Sequence, residues 1–167
     1  MMKPIILIGM MGSGKTTIGK ALSSHLSLSW IDTDQYIEQQ EQQSISHLFA
    51  EKGETYFRRC ETKALETLMS TVDVISTGGG IIVTPINREM IKDKSFVIYL
   101  KTRIPTLVAR IDPSNRPLLQ DEDMETKLTT LYEKRQKLYE ECAHLTIETS
   151  SLSIQEVVHS IIDTLSL

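Results

Sequence analysis

The stretch Gly9-Met10-Met11-Gly12-Ser13-Gly14-Lys15-Thr16 follows directly on the apolar run Pro4-Ile5-Ile6-Leu7-Ile8. It matches G-x-x-x-x-G-K-[ST] at every fixed position, the pattern of a phosphate-binding P-loop set between a strand and a helix. Glycines 9, 12 and 14 permit backbone conformations that a Cβ blocks, so successive N–H groups can converge on phosphate oxygens. Lys15 brings a mobile positive charge to the outer phosphates, and the Thr16 hydroxyl is placed to ligate Mg²⁺. Ile18, Ala21, Leu22 and Leu26 then recur at helical spacing, which predicts a helix whose N-terminus points at the same anion. A Gly-rich turn without a ligand would also join strand to helix, but it has no need of eight positions in register.

Outward from this motif, short apolar segments fall at about 4–8, 28–32, 72–76, 95–100 and 144–148, with helical patterns between and after them. Such alternation predicts βαβ units and a parallel five-stranded sheet covered on both faces, a three-layer α/β/α sandwich with ligands at the C-terminal ends of the strands. The last helix is the plainest: Ile154, Val157, Val158, Ile161, Ile162 and Leu165 form one stripe, and Ser153 with Glu156 reads as a capping box. Thr84-Pro85 reads as a second helix start, an N-cap followed by proline at the first position.

The bulk figures suit one soluble domain over residues 1–167. A chain of 167 residues buries about 70% of its unfolded surface, and 40% hydrophobic with 24% charged residues is ordinary. A net charge of −4 argues against a nucleic-acid partner, which needs a basic face. No run approaches the roughly 20 apolar residues of a membrane span. The N-terminus leads straight into the P-loop and is not read as a signal peptide. Cys60 and Cys142 have no metal-like spacing and are expected to be reduced core residues of a cytoplasmic protein.

Polar chemistry clusters just after the strand segments. Asp32-Thr33-Asp34 closes the second. Two residues apart on extended chain, both carboxylates can face the phosphates, one anchoring Mg²⁺ through water and the other holding or deprotonating an acceptor hydroxyl. Alternatively, an Asp here caps a helix opening at Tyr36-Ile37. Thr77-Gly78-Gly79-Gly80 follows the third segment, where many P-loop enzymes carry a metal-holding Asp. That acid is missing, which directs attention to Asp32, and the glycines either offer bare N–H groups to a ligand or serve as a connector.

Two arginines stand out. Leu128, Leu131, Leu138 and Cys142 define an apolar stripe with Arg135 at its middle. A buried guanidinium there needs an anion or a carboxylate, unless it snorkels out to water. Arg58 lies among Phe57, Cys60, Ala64 and Leu68, with Glu61 three residues on. Glu61 either neutralises Arg58 or orients it for a bidentate grip on a ligand carboxylate, and spacing alone allows both. The segment at about 110–123 is rich in turn formers and charge and reads as a lid, with Arg116 placed on the transferring phosphate, or else as an exposed loop.

In order and spacing these pieces resemble shikimate kinase, a P-loop kinase family of the nucleoside monophosphate kinase-like fold. The match rests on Gly12-Ser13-Gly14-Lys15-Thr16-Thr17, Asp32-Thr33-Asp34, Phe57-Arg58 with Glu61, Thr77-Gly78-Gly79-Gly80, Arg116-Pro117-Leu118-Leu119, and Arg135 followed by Tyr139. The resemblance implies ATP- and Mg²⁺-dependent phosphorylation of the shikimate 3-hydroxyl on the route to chorismate and aromatic amino acids, by a monomer. It also implies that residues Gly12 to Thr17 hold ATP, with Lys15 on the transferred phosphate, Thr16 on Mg²⁺ and Asp32 supporting the metal through water. Asp34 would bond the acceptor hydroxyl, Arg58 and Arg135 would clamp the carboxylate, and Gly78, Gly79 and Gly80 would line the substrate site, with Gly80 in backbone contact. Arg116 would be the lid arginine, Arg110 would pack on adenine, and about 33–61 would form the substrate-binding segment. A kinase of another hydroxy acid such as gluconate is the nearest rival. A nucleotide-dependent switch is less favoured, since no guanine-reading N-K-x-D segment occurs.

Overall fold

The protein was analysed as a computed structural model, which describes residues 2–111 and 123–166. Five strands form its sheet: β1 Ile5–Ile8, β2 Trp30–Asp32, β3 Val74–Ser76, β4 Phe96–Lys101 and β5 Leu145–Glu148. Their order is β2-β3-β1-β4-β5, and every pairing is parallel. The helices are α1 Lys15–Leu26, α2 Thr33–Glu41, α3 Ile45–Leu68, α4 Pro85–Lys94, α5 Ile104–Arg110, α6 Met124–Cys142 and α7 Ile154–Leu165, with a 3₁₀ turn at Ile81–Val83.

The continuous apolar run of β1 has its physical reason in burial on both faces. Successive side chains of a strand point to opposite sides. Ile6 and Ile8 accordingly enter a core with Leu65 of α3, Ile91 of α4 and Tyr139 of α6. Ile5 and Leu7 enter a second core with Ile18 and Leu22 of α1 and Val157, Val158 and Ile161 of α7. The three layers expected from the sequence are therefore present.

The capping box at α7 is made: Ser153 Oγ accepts from Glu156 N at 3.1 Å, and Glu156 Oε2 accepts from Ser153 N at 2.7 Å. Its apolar stripe packs as read, except that Ile154 at the first helical position remains 44% exposed. Pro85 opens α4 with Thr84 at the N-cap, though the Thr84 side chain makes no capping bond. Helix α3 carries a kink at Gly53, whose φ of 81° interrupts the helical geometry; a residue with a Cβ is strained there. The kink separates the first turns of α3 from the stretch that carries Arg58 and Glu61.

Register places the chemistry. Leu7 and Asp32 each stand opposite Ser76, so the ends of β1, β2 and β3 finish side by side. Ser76 Oγ donates to the Lys15 carbonyl at 2.7 Å and accepts from Trp30 Nε1 at 2.9 Å, tying β3, β2 and the start of α1 together.

Candidate active site

The P-loop wraps the end of β1. Gly12 and Gly14 take φ of 82° and 98°, the left-handed values the motif requires. Helix α1 begins at Lys15 with no side-chain cap, so the first-turn amides are available to an anion, and the helix dipole favours one there. Lys15 is buried, and its Nζ donates to the Gly9 and Met10 carbonyls at 2.6 and 2.9 Å, holding the ammonium against its own loop. Ahead of the loop opens a cleft of about 420 Å³, lined in part by Gly12, Gly14, Lys15, Thr16 and Thr17. Asp32, Asp34, Thr77, Gly78, Gly79 and Arg110 complete it. Ser13 is buried beneath the loop. Arg110, in the last turn of α5, reaches to 3.4 Å from the Gly12 carbonyl. Arg116 and most of the expected lid lie outside the described residues.

Asp32 caps α2, as the alternative reading expects, and its second oxygen is turned to the P-loop threonine. Its Oδ1 accepts from Asp34 N at 2.9 Å and Gln35 N at 3.2 Å, capping α2. Its Oδ2 accepts from Thr16 Oγ1 at 2.8 Å. Hard oxygen donors on Thr16 and Asp32, facing a phosphate loop, suit Mg²⁺, which keeps most of its waters and takes few protein ligands. No cluster of three or more His, Cys, Asp and Glu side chains suited to a metal occurs among the described residues.

Asp34 requires a correction to the reasoning though not to its place. β2 ends at Asp32 and α2 begins at Thr33, so Asp34 lies in the first turn of a helix and not on extended chain. It lines the cleft because the capping bond turns the chain there and because Gly78 admits it. A Cβ on Gly78 would stand 2.6 Å from Asp34 Oδ1.

Arg58 of α3 and Arg135 of α6 both come to the glycine loop. Arg58 Nη1 donates to Glu61 Oε1 at 2.8 Å and Nη2 to Glu54 Oε1 at 3.1 Å. The guanidinium lies flat enough on Gly80 that a Cβ there would stand 2.5 Å from Nη1. Arg58 Nε is buried and has no hydrogen-bond partner among the described residues. Glu61 is only 1% exposed. Burial pushes its carboxyl up to about 7, with Asp34 adding to the rise, while Arg58 and Arg135 pull it down. Arg135 approaches the loop from α6, its Nη1 3.6 Å from where a Gly79 Cβ would be. One turn on, Tyr139 is buried, donates its hydroxyl to the Gly79 carbonyl and stacks on Tyr99 with centroids 5.0 Å apart. Burial raises its phenol to about 12, opposed by Arg135. Arg135 is half-buried, with its Nη1 toward the glycine loop.

Sequence reasoning missed two threonines. Thr33 Oγ1 accepts from Gly78 N at 3.0 Å, and Thr77 Oγ1 donates to the Leu7 carbonyl at 2.8 Å. Both anchor the glycine loop to neighbouring strand ends. A polar residue at the end of an apolar strand was the available signal.

A family model described as "Shikimate kinase" matches residues 11–166. A shikimate kinase of Legionella pneumophila (strain Corby) is 41% identical over 160 residues, covering 95% of this chain and 91% of that protein. One of Dictyoglomus turgidum is 40% identical, covering 99% and 98%. Among solved structures, shikimate kinase from Acinetobacter baumannii in complex with shikimate superposes with a TM-score of 0.94 at 38% identity, covering 99% of this chain and 93% of that one. That from Bacteroides thetaiotaomicron gives 0.92 at 31% identity, with both chains covered in full, 100% each.

Proposed function

The chain belongs to the shikimate kinase family, and from that premise we propose how its residues carry the terminal phosphoryl group of ATP to the 3-hydroxyl of shikimate. The observation that carries the reading is a juxtaposition. Asp34, Gly78 and Gly79 wall the P-loop cleft, and the Arg58 and Arg135 guanidiniums lie against the next residues of the same glycine loop, at Gly80 and Gly79.

The loop amides from Gly12 to Thr17 and the first turn of α1 hold the ATP phosphates, with Lys15 swinging from the Gly9 and Met10 carbonyls onto the transferred group. Arg110 sits at the nucleotide end of the cleft and packs on the base, and Arg116 covers the phosphates from the lid. Thr16 and Asp32 hold Mg²⁺, Asp32 through water. Held there, the ion would supply positive charge against the phosphate groups.

On the acceptor side, the substrate carboxylate enters between Arg58 and Arg135. The unengaged Nε–H of Arg58 supports this, since a buried guanidinium donor gains most from a charged acceptor. Gly80 offers close backbone contact, and Asp34 accepts a hydrogen bond from the 3-hydroxyl, aiming its oxygen in line. Carboxylates are in general feeble bases at neutral pH. A loose transition state needs little early proton removal, so alignment and charge stabilisation dominate. The product enters the route to chorismate and aromatic amino acids. We place the enzyme in the cytoplasm as a monomer; no described helix is long and apolar enough to cross a membrane.

The test is coupled ADP release over a panel of hydroxy acids that includes shikimate and gluconate, with and without Mg²⁺. Rapid turnover with shikimate alone, abolished by chelation, is expected. Turnover with gluconate and none with shikimate would reassign the acceptor.

A further inference from the structure

A second layer of side chains lies behind the carboxylate pocket, and it joins the two elements that form it. Asn87, in the first turn of α4, has no exposed surface. Its Nδ2 donates to the Ile81 carbonyl at 3.0 Å, one residue beyond Gly80. Its Oδ1 accepts from Thr62 Oγ1 at 2.7 Å, one residue beyond Glu61. The orientation of the amide is forced by chemistry. A backbone carbonyl only accepts, so the NH₂ group must face Ile81, leaving Oδ1 toward Thr62, whose single hydroxyl proton then points at Asn87. Thr62 lies one turn beyond Arg58 on α3, so the helix itself fixes it relative to the arginine.

These contacts close a ring. It runs from Arg58 along one turn of α3 to Thr62, through Asn87 to Ile81 and Gly80, and returns through the Arg58 guanidinium, which rests on Gly80. Arg58 on α3 and Gly80 at the 3₁₀ turn belong to different elements, and the amide bridge sets their spacing. Arg88, the next residue, reinforces the same turn by donating Nη1 to the Ile82 and Val83 carbonyls at 2.8 and 3.0 Å.

We propose that Asn87 and Thr62 are positioning residues for acceptor binding, fixing the distance between the Arg58 guanidinium and the Gly80 backbone into which the substrate carboxylate must fit. Among the described residues, Asn87 and Thr62 bond to no residue of the P-loop or the cleft; the nearest link is Ile81 N, which donates to the Gly78 carbonyl at 3.2 Å, so the effect falls first on the acceptor side. This inference rests on the assignment of Arg58 and Gly80 to the shikimate site.

The test is steady-state kinetics of Thr62→Val, Thr62→Ser and Asn87→Ala, read separately for the two substrates. Valine keeps the volume of Thr62 and removes the proton, leaving Asn87 Oδ1 buried without its donor. The KM for shikimate should rise roughly fivefold, the scale of one lost buried hydrogen bond, while the KM for ATP stays at the wild-type value. Thr62→Ser, which restores the hydroxyl, should return the shikimate KM to normal, and Asn87→Ala should exceed Thr62→Val because both halves of the bridge are lost. An unchanged shikimate KM in Thr62→Val, or equal rises for both substrates, overturns the proposal. If Asn87→Ala does not fold, the valine and serine pair decides alone. Absence of shikimate turnover in the wild type would instead overturn the underlying assignment, so the two failures are distinguishable.

Discussion

Glu61 shows how much a single side chain carries here. A carboxyl 1% exposed and held up to about 7 is protonated more readily in the folded chain than in the unfolded one, where it titrates near 4.5. The sign follows from linkage. With the folded value raised, the contribution of Glu61 to stability is fully present below the unfolded value, is lost as pH rises toward about 7, and is absent above it. The size is roughly 3 kcal/mol at most. Glu61→Gln cannot ionise, so urea unfolding at pH 5 and pH 8 should show the wild type losing more stability between the two than the variant does. Parallel pH profiles would contradict the burial of this group. Glu61 was legible in the sequence only as a neighbour three residues from Arg58. Its burial depends on α2, α4 and the 3₁₀ turn packing on α3, contacts that helical spacing does not encode. Asp34 teaches the complementary lesson: its place was read correctly from a spacing argument whose premise, extended chain, does not hold.

At the scale of elements, the glycine loop after β3 separates space-filling glycines from conformational ones. Gly80 has φ of −94°, which any residue adopts, so its lack of a side chain answers only to the Arg58 guanidinium lying on it. Gly80→Ala should therefore leave the melting temperature nearly unchanged, since the end of a flexible side chain moves aside. The KM for shikimate should rise on the order of tenfold as Arg58 is displaced from a charge-assisted contact. A large drop in melting temperature, or an unaltered KM, would contradict that division. Gly9 is the opposite case, with φ of 151° and a Leu100 carbonyl 2.7 Å from its hypothetical Cβ. The P-loop, the strands and α7 were legible because their signals are local: fixed spacing, apolar runs and a capping box. The bridge through Asn87 was not, because Thr62 and Asn87 lie 25 residues apart and no pattern links them.

For the whole molecule, the order β2-β3-β1-β4-β5 explains why the site lies where it does. From β1 the chain leaves through α1 to β2 on one side, and from β3 it crosses through α4 to β4 on the other. The crevice at the strand ends lies at that reversal, where ligands bind in open α/β sheets. In the proposed reading, an acidic chain of net charge −4 receives two anionic substrates there through Lys15, Arg58, Arg110 and Arg135, gathered at one end. Asp34 lines the P-loop cleft beside Gly78, and in the proposed reading it stands between nucleotide and acceptor. Replacing it with Asn should remove alignment without removing either binding half. The decisive measurement is formation of shikimate 3-phosphate by wild type and Asp34→Asn, alongside the thermal shift each shows with Mg²⁺ and ATP. The account predicts at least a hundredfold slower product formation in the variant, about the scale of one general acid–base or aligning group, with the nucleotide shift retained. Wild-type turnover by Asp34→Asn would contradict it.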